Sequence, residues 1–224
     1  MIINKTTLDA GEIDLENCLQ LKGDREVYKN ALYLDLEHLI YKVPICIGVF
    51  GVCTYNPVEN TVEAVQYMIQ NKQDAHEVLY VARDYLLANK SKYIVTFAGQ
   101  NDFSVINYLF AKHKIKLDIE SKYTLIDLQK KYLKYTGNTT GLKSLEKVFD
   151  IEREGELISG SNLAKTFAKL MKEPEYGENM TQEKVERILT YNLNDVVNLF
   201  HITTNWNKYV EKNQVEEQAP NQNK

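Results

Sequence analysis

The chain has 224 residues, 44% apolar and 26% charged, and a formal net charge of −4. That is the make-up of a globular protein long enough for one domain with additions. It excludes a globally basic polyanion binder, so a nucleic acid would have to meet a local basic patch. Three cysteines (Cys18, Cys46 and Cys53) form no C-x-x-C pair and argue against a disulfide framework. No stretch approaches the ~20 apolar residues of a membrane span, and the N-terminus carries no continuous apolar signal segment. A cytoplasmic protein without a membrane partner is expected.

Residues 1–30 are mixed in character and read as an N-terminal extension. Residues 31–38, Ala-Leu-Tyr-Leu-Asp-Leu-Glu-His, alternate apolar and polar as a strand does. Residues 43–53 are β-branched and apolar, the pattern of a central strand. A turn at Asn56-Pro57 leads to a third strand over 61–69, which makes an antiparallel meander. The period then changes. Val78, Leu79, Ala82 and Leu86 recur at helical spacing behind Asp74, a favoured capping type. Short strands over 93–97 and 123–127 alternate with helices near 102–110, 128–135 and 141–149. A loop-rich stretch holds one helix near 162–172. The last helix is expected from about Thr181 to Trp206, with Val185, Ile188, Leu189, Val196 and Leu199 as its apolar stripe. Residues 208–224 read as a polar, disordered tail. The fold class is α/β in three layers: a mixed central sheet whose first three strands are antiparallel, with flanking helices.

Side chains two apart on a strand share a face. Leu34 and Leu36 can therefore enter a core while Asp35 and Glu37 stand together on the other side. Paired carboxylates beside apolar strands need solvent or a shared cation, so the pair is a candidate half of a divalent-metal site. The chain has four other D-x-E triplets, at Asp14, Asp24, Asp118 and Asp150, all at expected turns. A further acid, Asp102, follows Thr96-Phe-Ala-Gly-Gln-Asn, where a strand gives way to a helix. It is either an N-cap or a ligand at a strand's C-terminal end. Tyr191 and Asp195 are four apart on the last helix and so are stacked neighbours. His38 follows Glu37 on the strand, points to the opposite face and is expected to pack.

Taken in order, D-x-E on a first strand, an Asp after a later strand and Y-x-x-x-D on a C-terminal helix resemble the tyrosine-type DEDD exonucleases. Residues 31–207 resemble the RNase H-like exonuclease domain of the YprB family. The stretches that carry this are Tyr33-Leu-Asp-Leu-Glu37, Ile94 to Phe103, Gly141 to Phe149 and Tyr191-Asn-Leu-Asn-Asp195. The family's middle motif reads N-G-x-x-F-D. Here it reads Ala98-Gly-Gln-Asn-Asp102, without that Asn and one residue shorter.

The resemblance implies a 3′–5′ exonuclease acting on DNA or RNA, with an expected single-stranded 3′ end as substrate. Two divalent ions, Mg²⁺ or Mn²⁺, about 3.5–4 Å apart would activate water and neutralise the leaving oxygen. It implies that Asp35 bridges the ions and that Glu37 and Asp195 hold the one that activates water. Asp102 would serve the other ion, and Tyr191 would orient the water. Thr190 stands where a histidine-type site would carry its histidine. Residues 112–147 hold nine lysines against four acids. Lys130, Lys131, Lys134 and Lys143 are the candidate backbone contacts, with Tyr123, Tyr132 and Tyr135 available to stack on bases. The alternatives are a catalytically weak or inactive RNase H-like nucleic-acid-binding module, and an interaction domain whose acids are incidental. No ATPase or helicase motif is present, and the sequence names no protein partner.

Overall fold

The structure is a computed structural model and describes all residues except 22, 156–157 and 211–224. Its strands are Ile2–Asp9 (β1), Ala31–Tyr41 (β2), Val43–Asn56 (β3), Thr61–Met68 (β4), Tyr93–Thr96 (β5) and Thr124–Asp127 (β6). Its helices are Asp74–Ala88 (α1), Gln100–Lys112 (α2), Ile119–Lys122 (α3), Leu128–Thr136 (α4), Leu142–Val148 (α5), Gly160–Lys172 (α6) and Gln182–Thr204 (α7). Among the described residues the strands form one mixed sheet in the order β1-β4-β3-β2-β5-β6. The first four pair antiparallel, and β5 and β6 run parallel to β2.

The meander from β2 to β4 is built by its turns. Lys42 takes a left-handed φ of 62° between β2 and β3. Asn56 accepts hydrogen bonds from the backbone N–H of Val58 and Glu59, which closes the turn into β4. The sheet then separates two hydrophobic clusters. Leu34 and Leu36 enter one with Phe50, Val78 and Val105. Tyr33 enters the other with Cys53, Val196 and Phe200, and its ring meets Phe200 edge-on at 5.7 Å. Burying each leucine is worth about 1.5–3 kcal/mol, enough to fix the phase of β2. By the same alternation Asp35 and Glu37 face α7.

The expected N-terminal extension is part of this sheet. Ile2 to Asp9 pair with β4 at every position, and Cys18, Leu19, Val27 and Tyr28 are buried beside Tyr33. An edge strand leaves one face and one side in solvent, so β1 alternates only between half-buried and exposed residues and carries a faint sequence signal. The core also runs past residue 207: Val210 is buried, and Tyr209 lies 5.1 Å from Phe149 ring to ring. The rest of the expected tail, 211–224, lies outside the described residues.

The last helix starts close to the expected Thr181, which caps α7, its side chain accepting from Lys184 N–H. Asp74 does not cap α1. It is the first helical residue, and its carboxylate accepts from the backbone of Gln70. Cys18, Cys46 and Cys53 are free and buried. No helix of the described residues is long and apolar enough to cross a membrane.

Candidate active site

The site is built on a row that crosses four strands. Asp35 lies opposite Gly51, Gly51 opposite Gln66, and Gln66 opposite Asn4. Directly opposed residues share a face, and α7 covers this one. Gly51 is the gap that lets the helix close: a Cβ there would stand 1.9 Å from Asn192 Oδ1. Asn192 is fully buried. Its Nδ2 donates to Asp35 Oδ2 at 2.8 Å, and its Oδ1 accepts from Gln66 Nε2 at 2.8 Å. Gln66 Nε2 also donates to Leu189 O, and Gln66 Oε1 accepts from Asn4 Nδ2 at 3.0 Å. A chain of paired amides thus runs from the edge strand to Asp35, and buried polar networks of this kind rigidify a site when every member is satisfied.

Carboxylate oxygens of Asp35, Glu37 and Asp195 lie within 4.8 Å of one another. Tyr191 sits one helical turn before Asp195 on the same side of α7. Asp102 stands outside this group of three. Gly99 occupies the N-cap position of α2, so Asp102 is in the first helical turn and is not the cap. It is buried, and its Oδ1 lies 3.9 Å from His38 Nε2. The β2–β3 ladder shifts register between Glu37 and His38, and His38 meets Asp102, where packing alone was expected.

Burial, with repulsion from neighbouring carboxylates, lifts all four acids. Asp35 is pushed well above the usual carboxylate range, by burial and then by Asp195, Glu37 and Asp102. Glu37 is raised to about 8 by burial and then by Asp195 and Asp102. Asp102 is raised to about 8 by burial, Asp127 and Asp195. Asp195 rises only to about 6, because Arg153 opposes the effect of burial. Burial also pushes the Tyr191 phenol up, so it is no base near neutral pH.

Arg153 is a site residue that sequence reading missed. Its Nε and Nη2 grip Glu146 at 2.5 and 2.6 Å, and Nη2 also pairs with Asp195. Glu146 is only 1% exposed and takes a further bond from Asn198 on α7. The guanidinium lies 5.5 Å from the centroid of the Tyr191 ring, and Lys143 Nζ lies 4.9 Å from it. Two cations thus border three clustered carboxylates. Arg153 lies in a loop and Glu146 on a short helix, so no periodicity links either to Asp195.

The family model RNase_H_2, described as RNase_H superfamily, matches residues 32–207. The chain belongs to the RNase H superfamily. No curated protein matches it significantly. The sheet with flanking helices fits that membership, and the acidic cluster sits within the matched residues.

On this RNase H superfamily domain the four predicted lysines divide into two sets. Lys130, Lys131 and Lys134 border a groove of about 630 Å³ with Gly99, Phe103 and Asp127. Lys143 instead lies over Tyr191. The expected stacking tyrosines are mostly structural. Tyr123 and Tyr132 are buried, and Tyr123 donates to Leu86 O at 2.6 Å. Tyr135 is 47% exposed and meets Trp206 edge-on. Asp127, the last residue of β6, caps α4. It also accepts from Ala98 N–H, tying the β5–α2 turn to β6. Ala98 itself holds a left-handed φ of 53°, an unfavourable place for a residue with a Cβ.

Proposed function

We propose that the protein is a metal-dependent 3′–5′ exonuclease of the tyrosine-type DEDD kind, akin to the YprB family, hydrolysing phosphodiester bonds in DNA or RNA. The observation that carries this reading is the convergence of Asp35, Glu37 and Asp195 within 4.8 Å, in an RNase H superfamily domain. Three hard oxygen donors of like charge, lifted in pKa by burial and by neighbouring carboxylates, fit a divalent cation. Two ions, Mg²⁺ or Mn²⁺, would supply an activated water and offset charge on the leaving oxygen. Asp35, Glu37 and Asp195 would hold one ion. Asp35 and Asp102 would hold the other, the latter through water.

The remaining roles fall to the chain's own groups. Asn192 fixes the Asp35 carboxylate by hydrogen bond. Tyr191 orients the attacking water through its hydroxyl, which stays protonated. Lys130, Lys131 and Lys134 at their groove serve as point charges for phosphates.

A second reading is a nucleic-acid-binding module with little or no catalysis. It is favoured by Asp102 standing outside the group of three and by Arg153 engaging Asp195. One experiment separates the two. Single-stranded DNA and RNA labelled at the 5′ or the 3′ end are incubated with Mn²⁺ or Mg²⁺. The exonuclease reading predicts a ladder of shortening 5′-labelled products and mononucleotide release from the 3′ label. Retained full-length strand with salt-sensitive binding supports the module instead.

A further inference from the structure

A second charged pocket lies away from the acid cluster, between α6 and α7. It measures about 300 Å³ and is lined by Lys165 and Lys169 of α6, Lys184 and Arg187 of α7, and Tyr176 between them. Among the described residues no carboxylate lines it. The groove at Lys130, by contrast, includes Asp127 and Glu120. In a chain of net charge −4, four basic side chains at one pocket are a local departure.

The pocket is built, not merely a patch of lysines. Lys169 and Lys184 both approach the Tyr176 ring, with Nζ 5.1 and 5.4 Å from its centroid, and Lys184 Nζ donates to Tyr176 Oη at 2.8 Å. Buried Ile188 and Thr166 form part of its lining. The segment that carries Tyr176 is pinned: a Cβ on Gly177 would stand 1.9 Å from Gln70 O, so its backbone rests directly on the β4–α1 connection. Ammonium groups gathered around one ring repel each other unless they share an anion.

The pocket also lies in line with the acid cluster. Lys184, Ile188, Tyr191 and Asp195 succeed one another at spacings of four, three and four, which is one face of a helix. At 1.5 Å per residue, Lys184 stands about 16 Å from Asp195 along the axis. A strand whose end lies at the carboxylates and which runs along α7 reaches the pocket several nucleotides back. Lysine clusters meet phosphates as point charges and read no sequence.

We propose that the α6–α7 pocket binds backbone phosphates of a single nucleic-acid strand upstream of the end held at the carboxylate cluster. The inference rests on the nucleic-acid reading above, but its test reads binding alone. The affinity of fluorescent single-stranded oligonucleotides of two and fifteen nucleotides is measured in EDTA across a salt series. Wild type is compared with the double variant Lys165→Ala/Lys169→Ala; both lysines are exposed, and circular dichroism checks the fold.

For the long strand, the slope of log affinity against log salt should flatten by about 1.4, the share of two lost single-strand phosphate contacts. The short strand should be unaffected, and Lys165→Arg/Lys169→Arg should restore the slope. An unchanged long-strand slope overturns the proposal. So does a variant that loses binding of inorganic phosphate while its long-strand slope stays at the wild-type value, since the pocket would then hold only small anions. A protein that binds in this way and cuts nothing defeats the exonuclease reading and leaves this one standing.

Discussion

Asn192 lies three residues before Asp195 on α7 and donates to the Asp35 carboxylate at 2.8 Å. One helix therefore carries one acid of the cluster and holds a second in place. Asn192→Leu would leave the Gln66 amide and the Asp35 carboxylate without their partner. Each orphaned group costs about 1–3 kcal/mol. Denaturant unfolding should show the loss, and metal-dependent cleavage should fall with it. Gly51→Ala should act in the same direction, by driving a methyl group into Asn192.

Arg153 and Glu146 make a buried ion pair whose value lies in its completeness. Arg153→Ala strands a charged Glu146 that is 1% exposed. Removing one partner of such a pair costs about 3–5 kcal/mol, or roughly 6–20 °C in melting temperature for a chain of this size. The double variant Arg153→Met/Glu146→Leu removes both charges and should recover most of that loss. Calorimetry on the three proteins checks the order.

The acids predict how stability without metal follows pH. Glu37 and Asp102 have folded pKa values near 8, against ordinary values of 4.5 and 3.8. The folded protein therefore keeps protons that the unfolded chain gives up. Their contribution is fully present below about pH 4 and is lost as pH rises towards 8. In EDTA the melting temperature should fall from pH 5 to pH 8. Added Mn²⁺ should stabilise more at pH 8 than at pH 6, because a ligand must lose its proton to bind metal. A melting temperature that climbs over this range in EDTA would contradict the charge assignment.

Much of this site was legible in the sequence wherever the signal was local. Alternation placed Asp35 and Glu37 on one face of β2, because Leu34 and Leu36 must enter the core. A four-residue spacing placed Tyr191 beside Asp195. What escaped depended on register or on loops. Gln66, Gly51 and Asn4 acquire meaning only when four strands align. Asn192 matters only because α7 crosses that row. Arg153 reaches Asp195 from a loop without period. β1 was missed because an edge strand shows half the usual alternation, and the capping role offered to Asp102 and Asp74 failed because both lie inside their helices, Asp74 as the first residue of α1 and Asp102 as the third of α2.

Tyr191 separates orientation from metal binding. Its ring lies by Arg153 and Lys143, and Phe keeps the ring while removing the hydroxyl. Tyr191→Phe should leave stability and Mn²⁺-induced stabilisation intact while lowering the cleavage rate roughly 100-fold, the scale of a misplaced reactant. Single-turnover kinetics beside thermal melts decide the point.

The most direct test of the account pairs two readouts on Asp35→Asn, which keeps the shape of the side chain and removes a charge from the centre of the cluster. Wild type should degrade a 5′-labelled single strand stepwise only when Mn²⁺ or Mg²⁺ is present, and the same ion should raise its melting temperature. Asp35→Asn should lose the cleavage and most of the ion-induced rise, yet melt no lower than wild type in EDTA because a source of repulsion is gone. Equal cleavage by the two proteins, or an equal rise with metal, would contradict the assignment of Asp35, Glu37 and Asp195 as the metal centre.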